Sequence, residues 1–235
     1  MAVVLNPVDL IERENCLVDN WVWDKTSKSP EVLLSSDSEA AYFFIDPVNE
    51  SRGTAGVRGT EGFVYGEHYW EIIFLEPPVG TSVMVGVGTQ RSVLHTENYN
   101  FVNLIGMDDN SWGLSYKGTI WHGGKCWRYC EPFYDDRTVI AVHLNLYEGT
   151  ISFSKNGKNL GVAFSGLNNL DQQLYPLISS TATETELAVG RRICRYLSLQ
   201  ELCYLTIAKS MKHQYQAVNR LPLPMAMKNC VTDLI

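Results

Sequence analysis

Two hairpins written back to back near residues 139–165 constrain this chain more than any other feature. A β-branched run at 139–146 leads into the turn Tyr147-Glu148-Gly149. A second run at 150–154 then meets Lys155-Asn156-Gly157-Lys158. Asn-Gly favours a tight two-residue hairpin because both central residues need positive φ. Successive hairpins mean antiparallel pairing, and no convincing helix precedes Ser198, which argues against a βαβ topology. Residues 69–74 and 82–88 are further strand candidates, joined by Glu76-Pro77-Pro78-Val79-Gly80. From about residue 21 to 189 short β-branched and aromatic runs alternate with Gly, Asn, Asp and Pro, the pattern of a mainly β, antiparallel sandwich. Trp70, Trp112, Phe153 and Phe164 are its expected core aromatics. Internal repeats and low-complexity segments are absent from the sequence.

The character of the chain changes at Ser198. Ser198 and Glu201 have capping-box spacing, each able to satisfy a backbone N–H of the other at a helix start. Leu199, Leu202, Cys203, Thr206 and Ile207 then fall at i, i+3, i+4, i+7 and i+8, one apolar stripe that must be buried by a neighbour or a partner. Further on, Val218 and Leu221-Pro222-Leu223-Pro224 precede a second helical run, with Pro224 suited to the first position of a helix. The expected domains are therefore 1–19, a leader or extra strand; 20–190, the sandwich; and 195–235, a small C-terminal helical domain.

Charge and composition narrow the function. The net charge of −7 is split, with +5 from Arg191 onward and −12 before it. An acidic main domain is a poor general binder of nucleic acid, whose affinity comes from phosphate contacts, and suits protein partners better. Asp9, Glu12, Arg13 and Glu14 break up any signal-peptide pattern, and no apolar run reaches membrane-spanning length. Six cysteines without a secretory signal point to free thiols in a reducing compartment, cytoplasmic or nuclear.

Catalytic and cofactor readings find little to hold. His68, His95, His122, His143 and His213 are scattered, and structural roles suit His68 and His143 best. His122, Cys126 and Cys130 offer three potential zinc ligands, but His-x3-Cys-x3-Cys matches no common structural zinc spacing, so no metal is expected there. Gly53-Thr54-Ala55-Gly56-Val57-Arg58-Gly59 lacks the Gly-Lys-Ser/Thr ending of a phosphate loop and reads as a loop-to-strand transition. No catalytic residue and no cofactor are assigned.

Two sets of motifs resemble known families. Gly66-Glu67-His68-Tyr69-Trp70-Glu71, Val85-Gly86-Val87-Gly88-Thr89, Ser111-Trp112-Gly113-Leu114, Gly149-Thr150-Ile151-Ser152-Phe153 and Leu160-Gly161-Val162-Ala163-Phe164 resemble, in order, a SPRY domain of the concanavalin-like class. Leu174-Tyr175-Pro176-Leu177-Ile178 closes that likeness. The C-terminal segment resembles a SOCS box: Ser198, Leu199, Cys203 and Ile207 match its elongin-binding helix, and Val218 with Leu221-Pro222-Leu223-Pro224 its cullin-binding part. Cys230-Val231 departs from the aromatic-aliphatic pair common there. The order of the two is that of the SPRY domain-containing SOCS box proteins, most like the third member's type.

That resemblance implies a non-catalytic substrate receptor of an E3 ubiquitin ligase, acting as an adaptor in protein degradation. Elongin C and elongin B would be held through Ser198, Leu199, Leu202, Cys203 and Ile207. Cullin 5 with its RING protein would be met by Val218, Leu221, Pro222, Leu223 and Pro224. Loops at 46–54, 101–107 and 179–184 would bind an Asn-containing peptide of the target, through Asn49, Ser51, Phe101, Leu104, Met107, Thr181 and Thr183. Other members carry a Tyr at the place of Phe101 and a Trp near Ala182, so the Asp-Ile-Asn-Asn-Asn type of motif is not expected to carry over intact. The alternatives are a SPRY peptide-binding adaptor that recruits no ligase, with its C-terminal segment packed on the sandwich, and a glycan-binding sandwich.

Overall fold

The structure is a computed structural model that describes residues 16–44, 53–98, 100–211 and 215–232. These form two compact units, one ending at Cys194 and the other running from Arg195 onward.

Fifteen strands are found among the described residues. They are β1 (Leu17–Val18), β2 (Trp23–Lys28), β3 (Val32–Leu34), β4 (Ala40–Phe44), β5 (Ala55–Gly59), β6 (Glu67–Phe74), β7 (Val83–Gly88) and β8 (Ser111–Ser115), followed by β9 (Thr119–His122), β10 (Lys125–Arg128), β11 (Val139–Asn145), β12 (Thr150–Lys155), β13 (Lys158–Ser165), β14 (Tyr175–Ser180) and β15 (Thr183–Arg195). One sheet runs β13-β12-β11-β6-β15-β4-β3, with β1 also paired to β15, and the other runs β10-β9-β8-β7-β14-β5-β2. β11 pairs with β12 and β12 with β13, both antiparallel, so the expected hairpins are present as β11-β12-β13. Asn156 and Gly157 take φ of 50° and 77°, the geometry their turn requires. Residues 53–59 resolve into the loop-to-strand entry of β5.

Alternation along the strands builds one shared core. Trp70 and Ile72 of β6 stand opposite Val142 and Ile140 of β11, and Val142 opposite Phe153 of β12, all essentially buried. From the second sheet come Val85 and Val87, opposite Leu114 and Trp112. Trp21 adds edge-on contacts to Trp23 and Trp70, with ring centroids 5.3 and 5.9 Å apart. Phe164, expected inside with the other aromatics, is only half-buried. It lies on β13, the edge strand of its sheet, where burial comes from one side only. Gly86 lies where the sheet is tightest: a Cβ there would sit 2.0 Å from the Trp112 carbonyl oxygen.

The outer face of the second sheet is also covered. Met84, Leu177 and Ile105 bury one another, with Leu94 and Trp121 packed on them, so Leu94 and Ile105 lie over this face of the sheet.

The second unit is helical: α1 (Leu199–Ser210), α2 (Tyr215–Val218) and α3 (Met225–Thr232). Its core is Tyr204, Ala208, Val218 and Val231, with Ile207, Met211 and Leu221 at the margin. No helix among the described residues is long and apolar enough to cross a membrane.

Candidate functional site

Two surfaces carry the residues singled out by the sequence, one in each unit. The first lies where residues 53–54, 80–82, 100–107 and 179–184 meet. Backbone and hydroxyl groups knit them together. The Ser82 N–H donates to Thr181 Oγ1 (2.8 Å), and Thr181 returns both its N–H (2.9 Å) and its hydroxyl (3.0 Å) to the Ser82 carbonyl. Ser82 Oγ donates to Asn103 Oδ1 at 2.7 Å. Thr54, fully buried, accepts the Val102 N–H (2.8 Å) and lies 3.1 Å from the carbonyl oxygens of Asn100 and Val102. Tyr116 donates its phenol to the Gly80 carbonyl at 2.6 Å. Such networks are short-range and mutually supporting, so they fix loops that would otherwise be mobile.

The side chains expected to touch a peptide separate by exposure. Met107 is 40% exposed and Thr183 is exposed, while Phe101 is half-buried against the core. Leu104 and Thr181 are buried, and Ala182 beside them is buried too. Asn49 and Ser51 lie outside the described residues. Phe44, 38% exposed and paired with Thr183, belongs to the same rim but was not read from the sequence. Its only signal was its place at the end of a strand. Glu184 adopts φ of 61° at a register shift in β15, which turns the chain at this rim.

The second surface is α1. Ser198 accepts the Glu201 N–H at 3.3 Å, and Glu201 Oε2 accepts the Ser198 N–H at 2.8 Å, completing the capping box. Arg195 forms an ion pair with the same carboxylate. Burial alone would raise the Glu201 pKa, but the Ser198 bonds and Arg195 outweigh it and hold the carboxyl below its usual range. The helix start is thus fixed, and Leu199 occupies its first turn.

The apolar stripe is divided. Leu199 is 78% exposed and Cys203 and Thr206 are exposed, whereas Leu202 and Ile207 are half-buried. What α1 packs inward is a different face, Tyr204 and Ala208, flanked by Ile207 and Met211. That face also obeys helical spacing, at i, i+3, i+4 and i+7, so periodicity held the signal for both faces. Val218, the last residue of α2, is fully buried; beyond it Leu221 and Leu223 are half-buried, and Pro222 and Pro224 are exposed.

Two of the described histidines, His122 and His143, sit in structural settings. His122 stacks on Trp112 with centroids 4.4 Å apart, and its Nδ1 lies 2.9 Å from the Ser111 carbonyl oxygen. Burial first, and then the nearby His68, depress the His143 pKa to about 4. Burial likewise pushes the Tyr129 phenol up to about 12.

Residues 67–192 match the family described as SPRY domain, and residues 195–232 match that described as SOCS box. SPRY domain-containing SOCS box protein 3 of Xenopus laevis is 36% identical over 214 residues, covering 91% of this chain and 58% of the frog protein. The chain therefore spans little more than half the length of that relative. SPRY domain-containing SOCS box protein 1 of Mus musculus is 30% identical over 227 residues, covering 88% of this chain and 78% of the mouse protein. Among solved structures, the TRIM65 PSpry domain superposes with a TM-score of 0.58 at 22% identity, over 73% of this chain and 90% of its own. At that identity the likeness speaks for the sandwich alone.

Proposed function

The chain belongs to the family of SPRY domain-containing SOCS box proteins, and from that premise we propose that it is the substrate-recognition subunit of a cullin–RING ubiquitin ligase. The helical unit docks on elongin C, itself bound to elongin B, and residues 221–224 select cullin 5 with its RING protein. The loop end of the sandwich holds a short Asn-containing segment of the target, which is then ubiquitinated and degraded. The chain makes and breaks no bond itself. It raises the effective concentration of target lysines near the loaded conjugating enzyme, a contribution of proximity.

The observation that carries this reading is Leu199, an apolar side chain 78% exposed on a helix whose opposite face is already buried. A large aliphatic group fixed in solvent by a capping box gains free energy only when a partner covers it. Cys203, also exposed and one turn on, offers a small apolar neighbour to the same pocket. Ser198 orients the start of the helix, and Leu202 and Ile207 border the contact. For the cullin, Pro222 and Pro224 are exposed beside Leu221 and Leu223, and Val218 supports them from the core. At the loop end Met107, Thr183 and Phe101 supply accessible surface, Leu104 and Thr181 hold the loops in place, and Asn49 and Ser51 complete the proposed set. Phe101 has no hydroxyl to meet a buried amide of the peptide, so peptide choice differs from that of members with Tyr there.

Burial of a leucine is worth roughly 1.5–3 kcal/mol, so Leu199→Ala is expected to weaken elongin binding by about 10–100-fold. Co-expression with elongins B and C followed by size-exclusion chromatography tests this. A wild-type ternary complex that is lost in Leu199→Ala, Cys203→Ala supports the proposal. Equal binding by wild type and double variant, or by neither, contradicts it and leaves a peptide-binding adaptor.

A further inference from the structure

Away from both surfaces, three potential metal ligands converge inside the first unit. Asp19, His68 and Cys194 are 7%, 2% and 6% exposed, and their ligand atoms all lie within 4.8 Å of one another. They come from three separate strand regions. Asp19 follows β1 and donates its N–H to the Arg192 carbonyl at 3.1 Å, which ties it to β15. His68 is the second residue of β6, and Cys194, paired with Leu17, is the next-to-last residue of β15. We infer that Asp19, His68 and Cys194 form a binding site for a divalent metal ion of the zinc type.

The histidine is oriented as a ligand would be. His68 Nε2 lies 3.0 Å from the Tyr65 carbonyl, an acceptor only, so the proton on that nitrogen is fixed. Its ring stacks on Phe63 with centroids 3.8 Å apart and planes within 18°. The other nitrogen, Nδ1, then faces Asp19 Oδ2 at 3.2 Å. A carbonyl holding the far N–H of the ring is the usual outer support of a metal-bound histidine. Zinc bonds of about 2.0–2.3 Å place tetrahedral ligands about 3.3–3.8 Å apart, so the Asp19–His68 pair is already near that edge length. Drawing in the Cys194 sulfur needs a shift of about 1 Å at most, within reach of a change in χ1.

Charge and softness select the ion. A thiolate and an imidazole favour zinc over calcium or magnesium, which prefer all-oxygen sites. A dication with one thiolate, one carboxylate and one neutral imidazole sums to zero, the least costly charge state for a buried site. Binding requires the thiolate and a bare His68 Nδ1, so any proton on either atom leaves to solvent. The Asp19–His68 ion pair by itself accounts for two of the residues, but not for a sulfur set within reach of both.

The test is zinc content of the full chain purified without added metal, together with cobalt substitution. The expected result is about one equivalent of zinc per chain, and with cobalt a thiolate-to-metal charge-transfer band in the near ultraviolet. Cys194→Ser abolishes the band and lowers the zinc content at least tenfold, while a Cys126→Ser, Cys130→Ser variant keeps both. Because Cys194→Ser could impair folding, the wild-type cobalt spectrum stands as an independent readout. Absence of zinc together with a cobalt spectrum lacking the thiolate band overturns the inference, whatever the variants do. Zinc lost in the Cys126, Cys130 variant but kept in Cys194→Ser overturns it as well.

Discussion

The two units of this chain bury their apolar side chains to very different degrees. The sandwich encloses Trp21, Trp23, Trp70, Phe43, Phe74, Phe133 and Phe153 almost completely. The helical unit encloses Tyr204, Ala208, Val218 and Val231 and leaves Leu199 78% and Met225 69% exposed. A unit of about forty residues cannot bury enough surface to stand far from marginal stability. Its exposed leucine is therefore informative in a way that the scattered exposed residues of the sandwich are not. The sandwich reads as complete in itself, and the proposed function has partners complete the helical unit.

Single substitutions and a change of pH sharpen or break that contrast. Gly86→Ala has the largest expected effect, because its Cβ would meet the Trp112 carbonyl at 2.0 Å in the middle of the sheet. A loss above about 4 kcal/mol is expected, seen as a collapse of the denaturant midpoint. Gly157→Ala, with φ of 77° but nothing within 4 Å, should cost only about 1 kcal/mol in the same titration.

Acid comes next. The His143 pKa is depressed from 6.5 to about 4 by burial, and its Nε2 has no hydrogen-bond partner among the described residues. The unfolded chain binds the proton more readily, so this contribution is complete above about pH 6.5 and is lost as pH falls toward 4. Roughly 2–3 kcal/mol of sandwich stability is at stake, and His143→Gln should flatten that limb of a stability–pH curve. Third, Val218→Ala should remove about 1–2 kcal/mol from the helical unit alone, leaving the sandwich transition where it was. A shift of both transitions together would merge the two units into one cooperative block. The smallest effect on stability belongs to Leu199→Ala, within about 0.5 kcal/mol, although it should be the most damaging to elongin binding.

The strands were legible because the sheets are antiparallel and their inner residues alternate, and Asn156-Gly157 announced its own turn. Phe164 shows the limit of that reading, since nothing local tells an edge strand from a central one. Leu104 and Thr181 read as loop residues, yet both are buried, Leu104 close over Gly56 and Thr181 bonded to Ser82, contacts made by residues distant in the chain. On α1 two apolar faces overlap at Ile207. Motif spacing drew attention to Leu199 and Cys203, while Tyr204 and Ala208, which hold the unit together, carried only ordinary periodicity. The Asp19, His68 and Cys194 cluster had no sequence signal at all, because its spacing is set by β1, β6 and β15 meeting in the sheet.

The most direct measurement of the central claim is amide hydrogen exchange along the whole chain, alone and with elongins B and C. Slow exchange in the strands under both conditions is expected, with α1 amides from Leu199 to Ser210 gaining protection only when the elongins are present. Protection of α1 that is already full in the isolated chain, and unchanged on adding elongins, would contradict it.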